Sequence, residues 1–159
     1  MISLTGVERT SDRELVATRT FEAPARLLFE AWTQPDLIMR WWAPASFGIT
    51  FLSCETDVRT GGGYRYVFGH PDLEQPMAFF GRYIEVEGPS RIVWTNEEEA
   101  DGSVTTVTFE EADGQTRVVV RDLYPSRDAL DAAIASGGTG AWPEQFDELA
   151  SLLRSQGAG

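Results

Sequence analysis

The sequence predicts an α+β fold in which a curved, seven-stranded antiparallel sheet wraps around a long C-terminal helix. Three observations lead to this prediction. One strand-like run precedes two short helical segments, six strand-like runs separated by turn signals follow, and a helical apolar stripe ends the chain. Short loops between successive strands favour antiparallel pairing. A helix with one apolar face must bury that face, and the concave side of a curved sheet can cover it.

The N-terminal segment divides into a polar arm and the first strand. Residues 1–13 are polar and aperiodic, so we expect a flexible arm there, and we expect residues 14–156 to form a single domain. The length suits one domain, and no internal repeat or linker divides it. Residues 15–21, LVATRTF, have the interspersed polar pattern of a β-strand.

Two short helices are predicted directly after this strand. Pro24 suits the first turn of a helix, and Leu28 and Trp32 recur at helical spacing in the segment that follows. Pro35 suits the start of a second helix. That helix must end before Pro44, because the residue preceding a proline avoids the helical conformation.

The middle of the chain predicts six further strands. Each is bounded by a turn-forming stretch such as RTGGG, GHPDLEQP or EGPS. The strand-like runs are FGITFLSCETDV, GGYRYVFG, MAFFGRYIEVE, RIVWTNEE, SVTTVTFEE and QTRVVVRD.

The C-terminal region returns to helical patterns. Ser126 is a suitable N-cap for the segment RDALDAAIA, because a serine hydroxyl accepts a hydrogen bond from a free N–H of the first turn. After the breaker SGGTG, one apolar stripe at helical spacing predicts the long terminal helix. Its members are Trp142, Phe146, Leu149 and Leu153.

The charge of the chain excludes several classes of partner. The formal net charge is −12 and the isoelectric point is about 4.4. A protein of this charge repels nucleic acid and anionic membrane surfaces. All 13 basic residues are arginines, which excludes Schiff-base chemistry by a lysine and a phosphate-loop lysine. No apolar run is long enough for a membrane span, so a cytoplasmic protein is expected.

The sequence predicts neither a metal site nor a catalytic set. Cys54 is the only cysteine and His70 the only histidine, so no intrachain disulfide can form and zinc ligands of the usual types are too few. Cys54 lies in a strand and His70 in a turn, which argues against a nucleophile–base pair. No cofactor is indicated, and the catalytic residues of any enzymatic activity are unknown.

Five motifs in this order resemble the heat-shock-protein-90 ATPase activator homologue family, within the START-like helix-grip (SRPBCC) superfamily. The motifs are FEAPARLLFEAWTQPDLIMRWWAP, DVRTGGGYRYVF, FGRYIEVEGPSRIVWTN, VTFEEADGQTRVVV and GAWPEQFDELASLL. The resemblance runs from Leu15 to Leu153. It implies a cavity between the sheet and the terminal helix. Members act as carriers or sensors of apolar small molecules, as polyketide cyclases and dehydratases, or as chaperone partners, and they share no single catalytic set.

An apolar or aromatic small molecule is therefore the expected ligand. Aromatic residues are concentrated in motifs that should face the interior, and Tyr and Trp carry polar tips that apolar packing alone does not require. The simpler alternative is that these rings fill the core. The expected ligand-binding residues are Trp42, Phe47, Tyr64, Tyr66, Phe68, Phe79, Trp94, Asn96, Trp142 and Phe146.

The stretch MRWWAP places two indoles side by side. Neighbouring residues of a helix do not face the same direction, so only one of Trp41 and Trp42 can anchor the short helix in the core. The other indole must face either the cavity mouth or solvent. The family pattern favours Trp42 at the pocket entrance.

Three functions remain open at this point. The first is a binding module without catalysis. The second is a cyclase or dehydratase that shapes a flexible substrate, for which Tyr64, Tyr66, Arg65 and Asn96 are the candidate polar groups. The third is a chaperone-associated stress-response protein. A homodimer is also compatible with the sequence.

Overall fold

The computed structural model describes residues 7–42, 48–97, 102–135 and 142–155. In these ranges, eight strands form one antiparallel sheet in the order β1-β2-β8-β7-β6-β5-β4-β3. The strands are β1 (Val7–Arg9), β2 (Glu14–Phe21), β3 (Thr50–Thr56), β4 (Gly63–Gly69), β5 (Met77–Glu87), β6 (Arg91–Thr95), β7 (Val104–Ala112) and β8 (Gln115–Leu123). The helices are α1 (Ala25–Thr33), α2 (Pro35–Trp41), α3 (Arg127–Ala135) and α4 (Trp142–Ser155).

The predicted α+β fold is confirmed, with one strand more than expected. The extra strand is β1, which lies inside the segment 1–13 that was expected to be a flexible arm. It pairs antiparallel with β2, Val7 opposite Ala17. The Arg9 guanidinium forms an ion pair of 2.8 Å with Asp131 of α3. Residues 7–9 are therefore part of the domain, and the sheet has eight strands rather than seven.

Side-chain alternation along β4 sets the inner face of the sheet. Tyr64, Tyr66 and Phe68 are all buried, whereas Arg65 between them is exposed. Arg65 lies on the outer face, where its guanidinium is 5.9 Å from the centre of the Phe80 ring. This arginine, a candidate polar group for a cavity, therefore points away from the tyrosines of its own strand.

The terminal helix α4 packs its predicted stripe into the core. Phe146, Leu149 and Leu153 are buried, and the Phe146 ring meets the edge of Phe21 on β2 at 5.8 Å. Trp142 is the first residue of α4, and its side chain lies outside the described part of the structure. The stripe confirms that α4 closes one side of the sheet, next to β2 and α2.

The structure confirms the expected N-cap of α3. The Ser126 hydroxyl accepts a hydrogen bond of 3.0 Å from the Ala129 N–H at the start of α3. None of the four helices in the described ranges has the length and apolar composition that crossing a bilayer requires.

Candidate functional site

The inner faces of β4, β5 and β6, together with the end of α2, carry two groups of contacting aromatic rings, here called the aromatic wall, and Phe51 of β3 contacts both groups. Its rings contact one another edge-on or tilted, at centroid distances between 4.9 Å and 6.3 Å. Such geometries are the favoured ones for aromatic pairs. The wall consists of Trp42, Tyr64, Tyr66, Phe68, Phe79, Tyr83 and Trp94.

The structure separates the roles of the two adjacent indoles. Trp41 is fully buried, and its indole N–H donates to the Ala31 carbonyl at 2.8 Å, which ties α2 to α1. Trp42 is half-buried, and its ring lies 5.5 Å from that of Tyr66. Its backbone carbonyl accepts a hydrogen bond of 2.7 Å from Gln145 of α4. Trp41 therefore anchors α2 in the core, and Trp42, directly after α2, is the wall residue that contacts Tyr66.

Tyr64 is held in place by hydrogen bonds that cross the neighbouring strand. Its hydroxyl lies 2.8 Å from the Thr95 carbonyl and 3.2 Å from the Asn96 side-chain oxygen, both beyond β5. The residue opposite Tyr64 on β5 is Gly81. A Cβ atom on Gly81 would lie 1.8 Å from the Thr95 carbonyl oxygen. The glycine therefore allows a close backbone approach that a residue with a Cβ atom would prevent.

The Asn96 amide already has protein partners at both ends. Its oxygen accepts from Tyr64 and from the Trp94 indole N–H at 3.3 Å. Its nitrogen lies 3.0 Å from the Ser103 carbonyl and 2.9 Å from the Thr105 hydroxyl. The Thr105 hydroxyl continues the chain to Asp122 of β8 at 2.6 Å. Asn96 therefore links the wall to β7 and β8.

The phenol groups of Tyr66 and Tyr83 form the remaining polar feature of the wall. They interact with each other, and burial raises the pKa of both well above the usual value. Cys54 lies opposite Tyr66 on β3. Burial, with the nearby carboxylates of Asp36 and Glu55, raises the pKa of the Cys54 thiol to about 11. All three groups are protonated at neutral pH, so they can donate hydrogen bonds but the thiol is a poor nucleophile.

The structure brings together seven of the ten residues expected to bind a ligand. These are Trp42, Tyr64, Tyr66, Phe68, Phe79, Trp94 and Asn96, which form or contact the wall. Phe146 packs under α4 against β2. Phe47 lies outside the described residues, as does the side chain of Trp142.

Sequence reasoning missed two features near the site. Tyr83 belongs to the wall but was not among the expected ligand-binding residues. Trp32, predicted only to lie on a helix at a spacing of four from Leu28, is buried, and its indole N–H has no hydrogen-bond partner in the described ranges. No local sequence signal distinguishes a paired buried indole from an unpaired one.

A separate groove of about 220 Å³ lies between the end of β2 and the last turns of α4. Phe21 and Leu153 contribute apolar surface, and Arg19 and Arg154 contribute charge. Arg19 is neutralised by Asp147 at 2.6 Å. In the described ranges, no group of three His, Cys, Asp or Glu residues is arranged to hold a metal ion.

Comparisons with known proteins agree with the fold and with the resemblance. The family model described as "Activator of Hsp90 ATPase homolog 1-like protein" matches residues 22–154. A crystal structure from Rhodobacter sphaeroides is similar, with a TM-score of 0.84 and 25% identity over 94% of this chain and 97% of that one. A Mycobacterium smegmatis protein has a TM-score of 0.80 and 24% identity, covering 95% and 97%. An AHSA1-like protein from Aeromonas hydrophila has a TM-score of 0.69 and 23% identity, covering 91% and 95%. No curated protein matches the chain.

Proposed function

Because the chain belongs to the activator of Hsp90 ATPase homolog 1-like family, we propose that it is a small-molecule-binding START-like domain. The ligand is apolar or aromatic and lies between the sheet and the C-terminal helix. The observation that supports this most strongly is the aromatic wall, whose Tyr66 and Tyr83 phenols are buried and have each other as their assigned partner.

A closed core requires a hydrogen-bond partner for each polar group that it buries. Aliphatic side chains fill a core without a hydrogen-bonding requirement, whereas every buried phenol or indole needs a partner for its polar tip. A wall with several such tips is costly as packing but suits a binding site, since such sites combine apolar surfaces with few, well-placed polar groups. Two phenols that share one hydrogen bond retain one O–H proton for a ligand.

The proposal assigns different roles to the expected ligand-binding residues. Trp42 and Phe79 are half-buried members of the wall, and we place the ligand against their rings and against Tyr66. Phe68, Trp94, Phe146, Phe47 and Trp142 remain proposed lining residues. Asn96 acts through its neighbours, because its hydrogen bonds fix the positions of Tyr64 and Trp94.

The test is native mass spectrometry of the protein after incubation with an extract of its host and repurification. We expect a discrete added mass, and we expect Trp42→Ala to lose it. The matched control is Phe80→Ala, which removes an aromatic ring from the outer face of β5 next to the wall residue Phe79. Absence of any adduct on folded protein, or equal loss in both variants, would contradict the proposal. The same spectra report whether the protein is a homodimer.

An enzymatic role is the second candidate, because the protonated phenol pair could donate a proton or a hydrogen bond to a substrate carbonyl. Polyketide cyclase or dehydratase chemistry is the type we would test, using the compound identified by mass spectrometry. Tyr66→Phe removes the hydroxyl but keeps the ring. Unchanged turnover in this variant would exclude a role for the Tyr66 hydroxyl in catalysis. A chaperone partner is tested separately by a pull-down from host lysate.

A further inference from the structure

The indole N–H of Trp32 is the one buried side-chain donor in the described ranges that has no hydrogen-bond partner. Trp32 is only 3% exposed. The indoles of Trp41 and Trp94 have comparable burial, yet each donates to a protein oxygen, on Ala31 and Asn96 respectively. Buried polar groups are nearly always paired, so an exception requires an explanation.

The immediate surroundings of Trp32 offer rings rather than acceptors. Its ring lies 4.6 Å from that of Trp41 and 5.5 Å from that of Phe109, both edge-on. Through Trp41 and then Trp42, ring contacts lead from Trp32 to Tyr66 of the aromatic wall. The Trp32 ring, which carries the unpaired N–H, therefore belongs to the same aromatic interior as the proposed ligand site.

The charge of this interior restricts the class of ligand. The buried residues include no arginine and no carboxylate among the described ranges. Burial keeps the Tyr66 and Tyr83 phenols and the Cys54 thiol neutral at physiological pH by raising their pKa values, and the carboxylates of Asp36, Glu55 and Asp57 add to the raised pKa of Cys54 or Tyr83. An anionic ligand would meet this negative potential without a buried cation to pair with, which is unfavourable.

We propose that the ligand is a neutral molecule with an apolar or aromatic body and a carbonyl oxygen, and that the Trp32 N–H donates a hydrogen bond to that oxygen. This inference rests on the proposed function, because it assigns a polar contact to the same interior site. Trp32 is then a specificity-determining residue, because the hydrogen bond makes a carbonyl compound bind more tightly than a hydrocarbon of the same shape.

The experiment compares two probes of matched shape, acetylnaphthalene and isopropenylnaphthalene, in which a methylene group replaces the carbonyl oxygen. We expect the ketone to bind the wild-type protein about three- to tenfold more tightly, the effect of one neutral hydrogen bond. In Trp32→Phe, which removes the N–H but keeps a ring, the two probes should bind equally. In an NMR spectrum of the five tryptophan indoles, the ketone should shift the Trp32 N–H resonance downfield and the hydrocarbon should not.

The outcomes separate this inference from the proposed function. If both probes bind wild-type protein equally, or if the Trp32 N–H does not respond to the ketone, the site exists but the hydrogen bond does not. If neither probe binds, the proposed function itself fails for ligands of this class. Should Trp32→Phe not fold, the wild-type spectrum decides, with the indole assigned through its contacts to Trp41 and Phe109.

Discussion

Replacing Asn96 with alanine removes the group that joins the wall strands β4 and β6 to β7. The Asn96 amide accepts from Tyr64 and Trp94 and donates toward Ser103 and Thr105. After the replacement, Tyr64 keeps its contact with the Thr95 carbonyl, so the effect on that residue is small. The Trp94 indole loses its assigned acceptor while it remains only 6% exposed.

The expected loss of stability follows from these contacts. A buried donor left without a partner costs about 1–3 kcal/mol, and each further hydrogen bond lost costs about 0.5–1.5 kcal/mol. With one unpaired indole at Trp94 and the contacts to Ser103 and Thr105 lost, the free energy of unfolding should fall by about 3 kcal/mol. For a domain of this size, that corresponds to a decrease in Tm of about 6–12 °C.

Urea denaturation of single and double variants tests this reasoning. About half of the loss should disappear when Asn96→Ala is introduced into Trp94→Phe, because no indole N–H is then left unpaired, whereas the contacts to Ser103 and Thr105 are still lost. The control is Glu97→Ala at the next position, where surface contacts to Arg82 and Thr95 contribute at most about 1 kcal/mol. A loss below about 1 kcal/mol for Asn96→Ala, or equal losses in both backgrounds, would refute the account.

Three further predictions concern Gly81, Cys54, and the pair of Tyr66 and Tyr83. Gly81→Ala should destabilise the fold by about 3 kcal/mol, the upper end of the usual cost of overpacking, because the new Cβ would overlap the Thr95 carbonyl oxygen. Gly69→Ala, whose Cβ would have its nearest neighbour at 3.9 Å, should change thermal stability little. Cys54, with its pKa of about 11, should react with iodoacetamide at pH 8 about a hundredfold more slowly than in the unfolded chain, and faster at each higher pH. The raised pKa values of Tyr66 and Tyr83 mean that the unfolded chain ionises first, so stability should be lost as the pH rises above about 10. Tyrosinate absorbance should therefore appear together with unfolding, and Tyr66→Phe should make the loss of stability less steep.

The sequence could predict those parts of the fold that depend on local periodicity. The alternation around Arg65 identified the inner and outer faces of β4, because side chains of a strand point alternately to opposite faces. The stripe through Phe146 identified the buried face of α4 for the corresponding helical reason. Family membership, and with it the helix-grip fold, followed from several motifs in a fixed order rather than from any single one.

The parts that could not be predicted depend on contacts between distant segments. The strand β1 has only three residues, of which Glu8 and Arg9 are exposed, so it carries no alternation that a sequence could show. Its pairing with β2 exists only once the domain has folded. The hydrogen-bond network of Asn96 likewise depends on Thr105 of β7 and, through it, on Asp122 of β8. No residue near Asn96 in the sequence indicates that these two side chains lie close to it.

The distribution of hydrogen bonds over the wall bears on how binding could be specific. At the β6 end, the Asn96 side-chain oxygen accepts hydrogen bonds from the Tyr64 hydroxyl and the Trp94 indole N–H. These hydrogen bonds fix the two rings in the absence of a ligand. Such preorganisation reduces the conformational entropy lost on binding. At the other end, the phenols of Tyr66 and Tyr83 share a hydrogen bond, and the N–H of the neighbouring Trp32 has no partner in the described ranges. Under the proposed function, selectivity among apolar ligands should therefore arise from these donors, while the fixed rings should supply affinity for ligands in general.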